Sequence, residues 1–132
     1  MNVEHKRPNK DAPDKIHVLT FTNEQGVKIG EVELMYFGKP FRFYYLSFIG
    51  VPPQLRDNGF GSLLIKTFNT FLNERKSAGL LRNIISSQNP AHSIYHKNGW
   101  ENVQNFPKWL VFNAKYLHNP QYDRAIQRIE SL

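Results

Sequence analysis

Hydrophobic and polar positions divide the first half of the chain into strand-like segments. Residues 16–21 and 27–36 are rich in aliphatic and β-branched side chains, and the polar run 23–26 between them ends in glycine, which is typical of a turn. We expect these two segments to form an antiparallel hairpin. Residues 41–51 are almost continuously aromatic or aliphatic, as in a strand that is covered on both faces. The sequence therefore predicts three strands before the first helix.

The segment after residue 59 has the periodicity of an amphipathic helix. Its apolar residues recur every three to four positions, which places them on one helical face. We predict that Gly79 ends this helix. The predicted apolar face consists of Phe60, Leu64, Phe68, Phe71 and Leu72.

Shorter elements are predicted in the second half of the chain. Residues 84–87 are expected to form a buried strand, residues 91–98 a short helix closed by Gly99 and Trp100, and residues 108–114 a further strand.

A last helix is predicted to start at Asn119 as its cap, with Pro120 at its first position. Its narrow apolar stripe of Tyr122, Ile126 and Ile129 is expected to pack on the same domain or on a second copy, which leaves a homodimer open.

Strands that come first and then alternate with helices indicate an α/β fold of the layered α+β kind, with a mixed central sheet. Hydrophobic residues make up 40% of the 132 residues, which is ample for the core of one domain. Residues 1–14 hold two prolines, many charges and few apolar side chains. We therefore expect a flexible amino-terminal arm over 1–14 and a single domain over 15–132.

A glycine-rich turn joins the third predicted strand to the first predicted helix. The first amides of a helix have no acceptor within it, and the aligned peptide dipoles leave a partial positive charge there. Glycines leave room for an anion and permit backbone angles that aim successive amides at it, so a pyrophosphate is the expected ligand. The alternative is that the glycines serve the turn for steric reasons alone. The segment runs Arg56, Asp57, Asn58, Gly59, Phe60, Gly61 and Ser62.

Other phosphate-binding motifs are absent from the sequence. No G-x-x-x-x-G-K-[ST] pattern of a nucleoside triphosphatase occurs, and Glu74 is too close to the turn to be the acidic residue of a dinucleotide-binding fold.

Two longer motifs occur in order along the chain. The pattern V-x-x-x-x-[QR]-x-x-G-x-[GA] is matched by Val51, Arg56, Gly59 and Gly61. The pattern N-x-x-A-x-x-x-Y-x-x-x-G-[FW] is matched by Asn89, Tyr95, Gly99 and Trp100, with its alanine one place early at Ala91. Together they resemble the motifs of the GCN5-related N-acetyltransferase (GNAT) family, over about residues 15–115.

The resemblance implies an enzyme that transfers an acetyl group from acetyl-CoA to a primary amine of a small molecule or peptide. It also implies a mixed, mostly antiparallel sheet flanked by helices. The family usually carries one or two helices before the hairpin, and here they are expected to be shortened or absent. An open acceptor cleft would follow.

The resemblance further implies roles for individual residues. The main-chain groups of Ile49 and Val51 would pair with the pantetheine amides, and Asn89 would lie near the pantetheine arm. Tyr95 would hydrogen-bond to the coenzyme sulfur or protonate it. Arg56 and Lys97 are the basic residues best placed for the phosphates. The alternatives are that Tyr95 only packs on the core and that Asn89 only forms a turn.

The sequence offers no obvious general base. Some relatives carry a glutamate on the long strand, but Tyr45 occupies that place here. Glu31 and Glu33 on the adjacent strand are the candidate substitutes, although their alternation with apolar residues also suits two ordinary solvent-facing side chains. A water chain, or an acceptor amine of lowered pKa, would remove the need for a base.

Composition narrows the remaining possibilities. The chain contains no cysteine, so disulfides and thiolate chemistry are excluded. His92 and His96 have a spacing that could bind zinc, but no third ligand is evident and no metal is expected. No segment suggests a membrane span or a secretion signal, so a cytoplasmic protein is expected.

Two further functions stay open on the sequence alone. The missing base favours a non-catalytic acyl-CoA-binding module. The net charge of +6 permits a nucleic-acid-binding domain that uses Arg7, Lys10 and Arg42, but that hypothesis leaves the glycine-rich turn unexplained.

Overall fold

The computed structural model describes residues 2–6, 16–38, 41–55, 59–82, 91–117 and 121–131. Seven strands form one sheet: β1 (Asn2–Lys6), β2 (Ile16–Thr22), β3 (Lys28–Phe37), β4 (Phe43–Gly50), β5 (Ala78–Arg82), β6 (Glu101–Val103) and β7 (Phe106–Phe112). The described part of the chain also has three α-helices: α1 (Phe60–Glu74), α2 (Ala91–Lys97) and α3 (Gln121–Glu130). Single 3-10 turns occupy Pro53–Leu55 and Ala114–Tyr116.

The strand order in the sheet is β1-β2-β3-β4-β5-β7-β6. Neighbouring strands are antiparallel except β4 and β5, which are parallel and are connected through α1. The predicted mixed, mostly antiparallel sheet is therefore confirmed. The predicted hairpin of β2 and β3 is confirmed as well, and the side chain of Asn23 closes its turn by accepting hydrogen bonds from the amides of Gln25 and Val27. No helix lies among the described residues before β4.

Each face of the sheet has its own hydrophobic core. On one face, side chains of β2, β3 and β4 pack with α1 and α2, and on the other face side chains of β4, β5 and β7 pack with α3. Successive side chains of β5 point to opposite faces of the sheet, since Leu81 belongs to the first core and Leu80 to the second. The apolar stripe of α3 therefore packs on the chain's own sheet, where Ala125, Ile126 and Ile129 are buried.

The prediction of a flexible arm is wrong for residues 2–6. They form β1, which pairs antiparallel with β2 along its whole length. The ring of His5 stacks on that of His17, with centroids 5.1 Å apart, and meets the edge of Phe71 at 5.5 Å. The charge of the segment suggested disorder, but an edge strand of a sheet needs only one partly covered face. Residues 7–14 of the predicted arm lie outside the described residues.

The first helix ends earlier than predicted. α1 ends at Glu74, and Lys76 takes the left-handed conformation that glycine usually provides at a helix end, with φ of 49°. The amide of Ser77 then donates to the carbonyl of Leu72 at 3.1 Å. Gly79 lies inside β5 instead. The helix end was predicted at the wrong residue because Lys76, and not Gly79, adopts the left-handed backbone conformation.

The predicted helix at 91–98 and the predicted strand at 108–114 correspond to α2 and β7. β5 and β6 were not predicted, since they are short and have no clear alternation in sequence. The predicted strand at 84–87 and the predicted cap at 119–120 lie outside the described residues.

Candidate functional site

β4 and β5 separate part-way along the sheet. Their parallel pairing ends at Tyr45 opposite Leu80. β5 continues with Leu81 and Arg82, which pair with β7 and not with β4. At the same point Ser47 has no opposite residue in β3, so β4 contains a β-bulge. A bulge bends its strand and increases its twist, which is consistent with the divergence of β4 from β5.

A cavity of about 530 Å³ lies beside the carboxyl-terminal end of β4, between that strand and the helices α1 and α2. This volume is typical of a small-molecule site. Of the twelve residues predicted for the donor site, eight line this one cavity. They are Ile49, Val51, Gly59, Phe60, Gly61, Ser62, Tyr95 and Lys97. The other four, Arg56, Asp57, Asn58 and Asn89, lie outside the described residues.

Five residues that line the cavity were not predicted as site residues: Gly50, Leu55, Ile65, Ile94 and Asn98. Leu55 and Ile94 also pack against the first core, so the wall of the cavity is an extension of that core. Nothing in the local sequence distinguishes these residues from ordinary core or surface positions. Ile94 and Asn98 reach the site because α2 packs on α1.

The amino terminus of α1 faces this cavity without a side-chain cap. Gly59 is the N-cap residue and has a φ of 77°, and the first turn contains no acidic residue. At Gly61 an added Cβ atom would have Ile94 Cδ1 as its nearest neighbour, at 3.7 Å, which is an ordinary contact. The glycine at 59 is therefore explained by its backbone conformation, whereas packing alone does not require the glycine at 61.

Tyr95 reaches the same cavity from α2. Its side chain is largely buried, with 7% exposed, and it meets the ring of Trp100 edge-to-face with centroids 6.1 Å apart. Burial raises the pKa of the Tyr95 phenol to about 12, because the ionised form would lose its hydration. At neutral pH this phenol is protonated and can donate a hydrogen bond into the cavity.

Glu31 and Glu33 line a different cavity, of about 470 Å³, together with the half-exposed ring of Phe48. Gly50 and Val51 line both cavities. The two carboxylates project from the face of β3 opposite to that packed on α1, so the two cavities lie on opposite faces of the sheet at the end of β4.

The two carboxylates differ in their surroundings. Glu31 forms an ion pair with Lys28, whereas Glu33 has no ion pair within the described part of the chain. Tyr45, which occupies the place of the glutamate of some relatives, packs on the second core with its ring 6.0 Å from that of Trp109.

Comparison of the sequence with protein-family models and with curated proteins gives no match. Comparison with solved structures does. A mutant of the spermidine N-acetyltransferase SpeG from Vibrio cholerae superposes with a TM-score of 0.60 over 78% of this chain and 69% of that chain, at 19% identity. An acetyltransferase of the GNAT family from Staphylococcus aureus gives a TM-score of 0.56 over 73% and 66%, at 14% identity. The chain has the fold of the GNAT acetyltransferases.

A third similar structure is a chain from the AtaT–AtaR complex bound to DNA. It gives a TM-score of 0.62 over 87% of this chain and 95% of that chain, at 12% identity. These likenesses confirm, at the level of the fold, the GNAT resemblance that the two motifs indicated.

Within this GNAT fold, the described residues of the two motifs have separate places. Val51, Gly59 and Gly61 line the large cavity together with Tyr95. Gly99 has a φ of 90° and ends α2, where the amide of Trp100 donates to the carbonyl of Tyr95 at 3.1 Å. The first motif thus forms the cavity directly, and the end of the second motif fixes the helix that carries Tyr95.

The predicted histidine pair and the possibility of a membrane span can be examined among the described residues. His96 Nδ1 lies 3.1 Å from the carbonyl oxygen of Trp100, and no group of three potential metal ligands occurs there. The side chain of His92 is not among the parts of the chain that the structure describes. No helix of the described chain is both long enough and apolar enough to cross a bilayer.

Proposed function

We propose that this protein transfers an acetyl group from acetyl-CoA to a primary amine of a small molecule or peptide. The observation that carries the proposal is that a single cavity collects the start of α1, the end of β4 and Tyr95. These are the three parts that acetyl transfer from the coenzyme needs: an anion site, a wall for the pantetheine arm and a donor for the leaving sulfur.

The start of α1 supports a pyrophosphate as the anion. Uncapped amides at a helix amino terminus bind phosphates well, and the residues of the first turn carry no negative charge to oppose them. Gly61 adds to the argument, because glycine within a helix costs up to about 1 kcal/mol relative to alanine and packing does not demand it here. Lys97 is exposed at the same cavity and supplies a positive charge.

The end of β4 supports the pantetheine arm. Ile49 and Val51 line the cavity where β4 has separated from β5, so a slender, weakly polar chain can run along the strand there. Leu55 and Ile94 provide apolar surface beside it.

The role of Tyr95 in the reaction follows from its raised pKa. A thiol has an ordinary pKa of about 8.5, so full proton transfer from a phenol of pKa about 12 to a thiolate is unfavourable by roughly 5 kcal/mol. Tyr95 therefore donates a hydrogen bond that stabilises the departing sulfur and keeps its own proton. The sulfur receives its proton in the end from the attacking amine, which must lose one as the amide forms.

Removal of the amine proton is assigned to Glu33, with Glu31 as the second candidate. The ion pair with Lys28 already occupies Glu31. Both carboxylates line a cavity together with Gly50 and Val51. These two residues also line the 530 Å³ cavity proposed to hold acetyl-CoA, which we call the donor cavity. An amine that enters from this face would approach the end of β4 from the side opposite to the coenzyme.

A non-catalytic acyl-CoA-binding module is the second candidate function. It is favoured by one observation: no Asp or Glu is among the described residues that line the cavity of Tyr95. Such a protein would bind the coenzyme in the same place and release no thiol.

Thermal unfolding with and without acetyl-CoA tests the shared part of both proposals. Acetyl-CoA at 100 times its Kd should stabilise the native state by about 2.7 kcal/mol and raise the Tm. Gly61→Glu, which places a carboxylate at the start of α1, should abolish this rise, and Gly38→Glu in the β3–β4 connection is the matched control that should keep it. No rise for the unaltered chain at millimolar acetyl-CoA would contradict both proposals.

Thiol release from acetyl-CoA in the presence of amines separates the two candidates. The acceptors to be tested are polyamines, aminoglycosides, amino acids and lysine-containing peptides. Thiol release with one of these amines supports the transferase. Binding of acetyl-CoA with no release across the whole panel supports the binding module.

A further inference from the structure

One asparagine of α1 lies in the first core and uses both ends of its side chain. Asn69 is 9% exposed, and its Oδ1 accepts a hydrogen bond from the indole Nε1 of Trp100 at 2.8 Å. Its Nδ2 donates to the main-chain carbonyl of Asn98, also at 2.8 Å. A buried amide with both groups satisfied fixes its partners in direction as well as in distance.

Both partners of Asn69 hold Tyr95. The main-chain amides of Asn98 and Trp100 each donate to the carbonyl oxygen of Tyr95, at 3.1 Å. The side chain of Asn98 donates to the carbonyl of Ile94 at 2.8 Å. The carboxyl-terminal end of α2 is thus tied to α1 through Asn69, with Tyr95 inside the tied segment.

The ring of Trp100 limits how α2 can move. It stacks with Phe68 of α1 and with Phe112 of β7, with centroids 6.0 and 5.7 Å away, and it is 1% exposed. Stacking allows an aromatic ring to slide in its plane, whereas the hydrogen bond to Asn69 sets one position. An apolar residue at position 69 would keep the core dry but would not fix the position of the Trp100 ring.

We propose that Asn69 is a positioning residue, which ties the end of α2 to α1 and thereby sets where the Tyr95 phenol lies in the donor cavity. The expected effect of Asn69 on catalysis rests on the proposed function, whereas its effect on the position of Tyr95 does not. Asn69 itself does not line the cavity, so its effect reaches the coenzyme only through the residues it holds. Asn69 belongs to neither of the two sequence motifs.

Asn73 of the same helix offers a matched control. It lies one turn further along and accepts a hydrogen bond from Asn113 Nδ2 at 2.9 Å, away from α2. Asn69→Leu and Asn73→Leu are the same chemical change on one helix, and only the first removes the tie to α2. Asn69→Ser, which keeps a polar group and adds no volume, serves in place of Asn69→Leu should the latter not fold.

Fluorine NMR of protein labelled with meta-fluorotyrosine reads the position of Tyr95 without any acceptor. The chain has six tyrosines, and Tyr95→Phe assigns the resonance of interest. We expect Asn69→Leu to shift or broaden the Tyr95 resonance and Asn73→Leu to leave it in place. An unchanged Tyr95 resonance in folded Asn69→Leu or Asn69→Ser protein would overturn the inference.

Turnover adds a test that depends on the reaction. A small misplacement of a reacting group can cost up to about 100-fold in rate, so we expect Asn69→Leu to lower kcat about tenfold or more with little change in the KM for acetyl-CoA. In the Tyr95→Phe background the same substitution should have no further effect. An equal loss in both backgrounds would overturn the inference, whereas failure of acetyl-CoA to bind at all would refute the proposed function and leave the fluorine result to decide.

Discussion

Gly79 and Trp100 are in direct contact in the first core: a Cβ atom added to Gly79 would come within 2.9 Å of Cη2 of Trp100. The same atom would come within 2.6 Å of Cδ1 of Leu72. The absence of a side chain therefore allows α1 and the indole to approach the backbone of β5.

Gly79→Ala should destabilise the protein by about 1–3 kcal/mol, because the added methyl group overpacks the buried side chains of Leu72 and Trp100. Urea unfolding measures this as a lower midpoint. Gly38→Ala is the control, since its Cβ would find its nearest atom, in Tyr36, at an ordinary 3.6 Å. Equal midpoints for the two variants would show that the core adjusts to the extra atom.

Gly61→Ala should separate stability from binding. The fold accommodates the new methyl group and alanine favours a helix, so we expect the free energy of unfolding to rise by up to about 1 kcal/mol. Under the proposed function the same methyl group would stand where the coenzyme phosphates approach the backbone, so the affinity for acetyl-CoA should fall. Calorimetric titration measures the affinity. A more stable variant with undiminished affinity would remove Gly61 from the donor site.

Tyr95→Phe should slow the reaction without weakening the binding of acetyl-CoA. The loss of one hydrogen-bond donor to a developing negative charge costs about 100-fold in kcat at comparable sites. Because the pKa of Tyr95 is raised to about 12, its ionisation should not limit turnover below about pH 10. Stopped-flow or steady-state thiol release measures the rate and its pH dependence, with Tyr36→Phe as an exposed control. Unchanged turnover would reduce Tyr95 to a packing residue.

Tyr95 should also contribute to alkaline unfolding. Its pKa is about 10 in the unfolded chain and about 12 in the native state, so the unfolded state releases the proton first. The contribution to stability is fully present below about pH 10 and is lost as pH rises to about 12. Between about pH 9 and 11 the unaltered protein should therefore lose about 1 kcal/mol more than Tyr95→Phe. Urea unfolding at about pH 9 and about pH 11 measures the free energy of unfolding of both proteins. An equal loss in the two proteins would contradict a raised pKa of the Tyr95 phenol in the native state.

Glu33→Gln should lower turnover more than Glu31→Gln. The ion pair with Lys28 engages the carboxylate of Glu31, whereas Glu33 is available to accept a proton from an amine. General bases typically contribute 10²–10⁴-fold, so a fall in thiol release of at least about 100-fold is expected for Glu33→Gln. Equal activity of both variants and the parent would indicate that water or the acceptor itself manages the proton.

The local patterns of the chain predicted much of the fold because they act over a few residues. The alternation at 27–36 and the three-to-four residue spacing after Phe60 correspond to β3 and α1 as expected. The glycine at 59 has the positive φ that such a turn suggested. Where the prediction failed, two different causes acted. Asn2–Lys6 becomes a strand because β2 offers an edge, whereas Gly79 does not end the helix because Lys76 already takes the left-handed conformation.

By itself the sequence determined the order of most elements, the glycine-rich start of α1 and the residues that carry the GNAT motifs. Only the tertiary structure decided that Gly61 and Tyr95 line one cavity, that Glu33 lies on the other face of the sheet, and that Asn69 ties α1 to α2. Backbone preferences and amphipathic periodicity are properties of neighbouring residues, so sequence displays them. Which side chains meet depends on strand register, on the bulge at Ser47 and on how helices pack, and these arise from the chain as a whole.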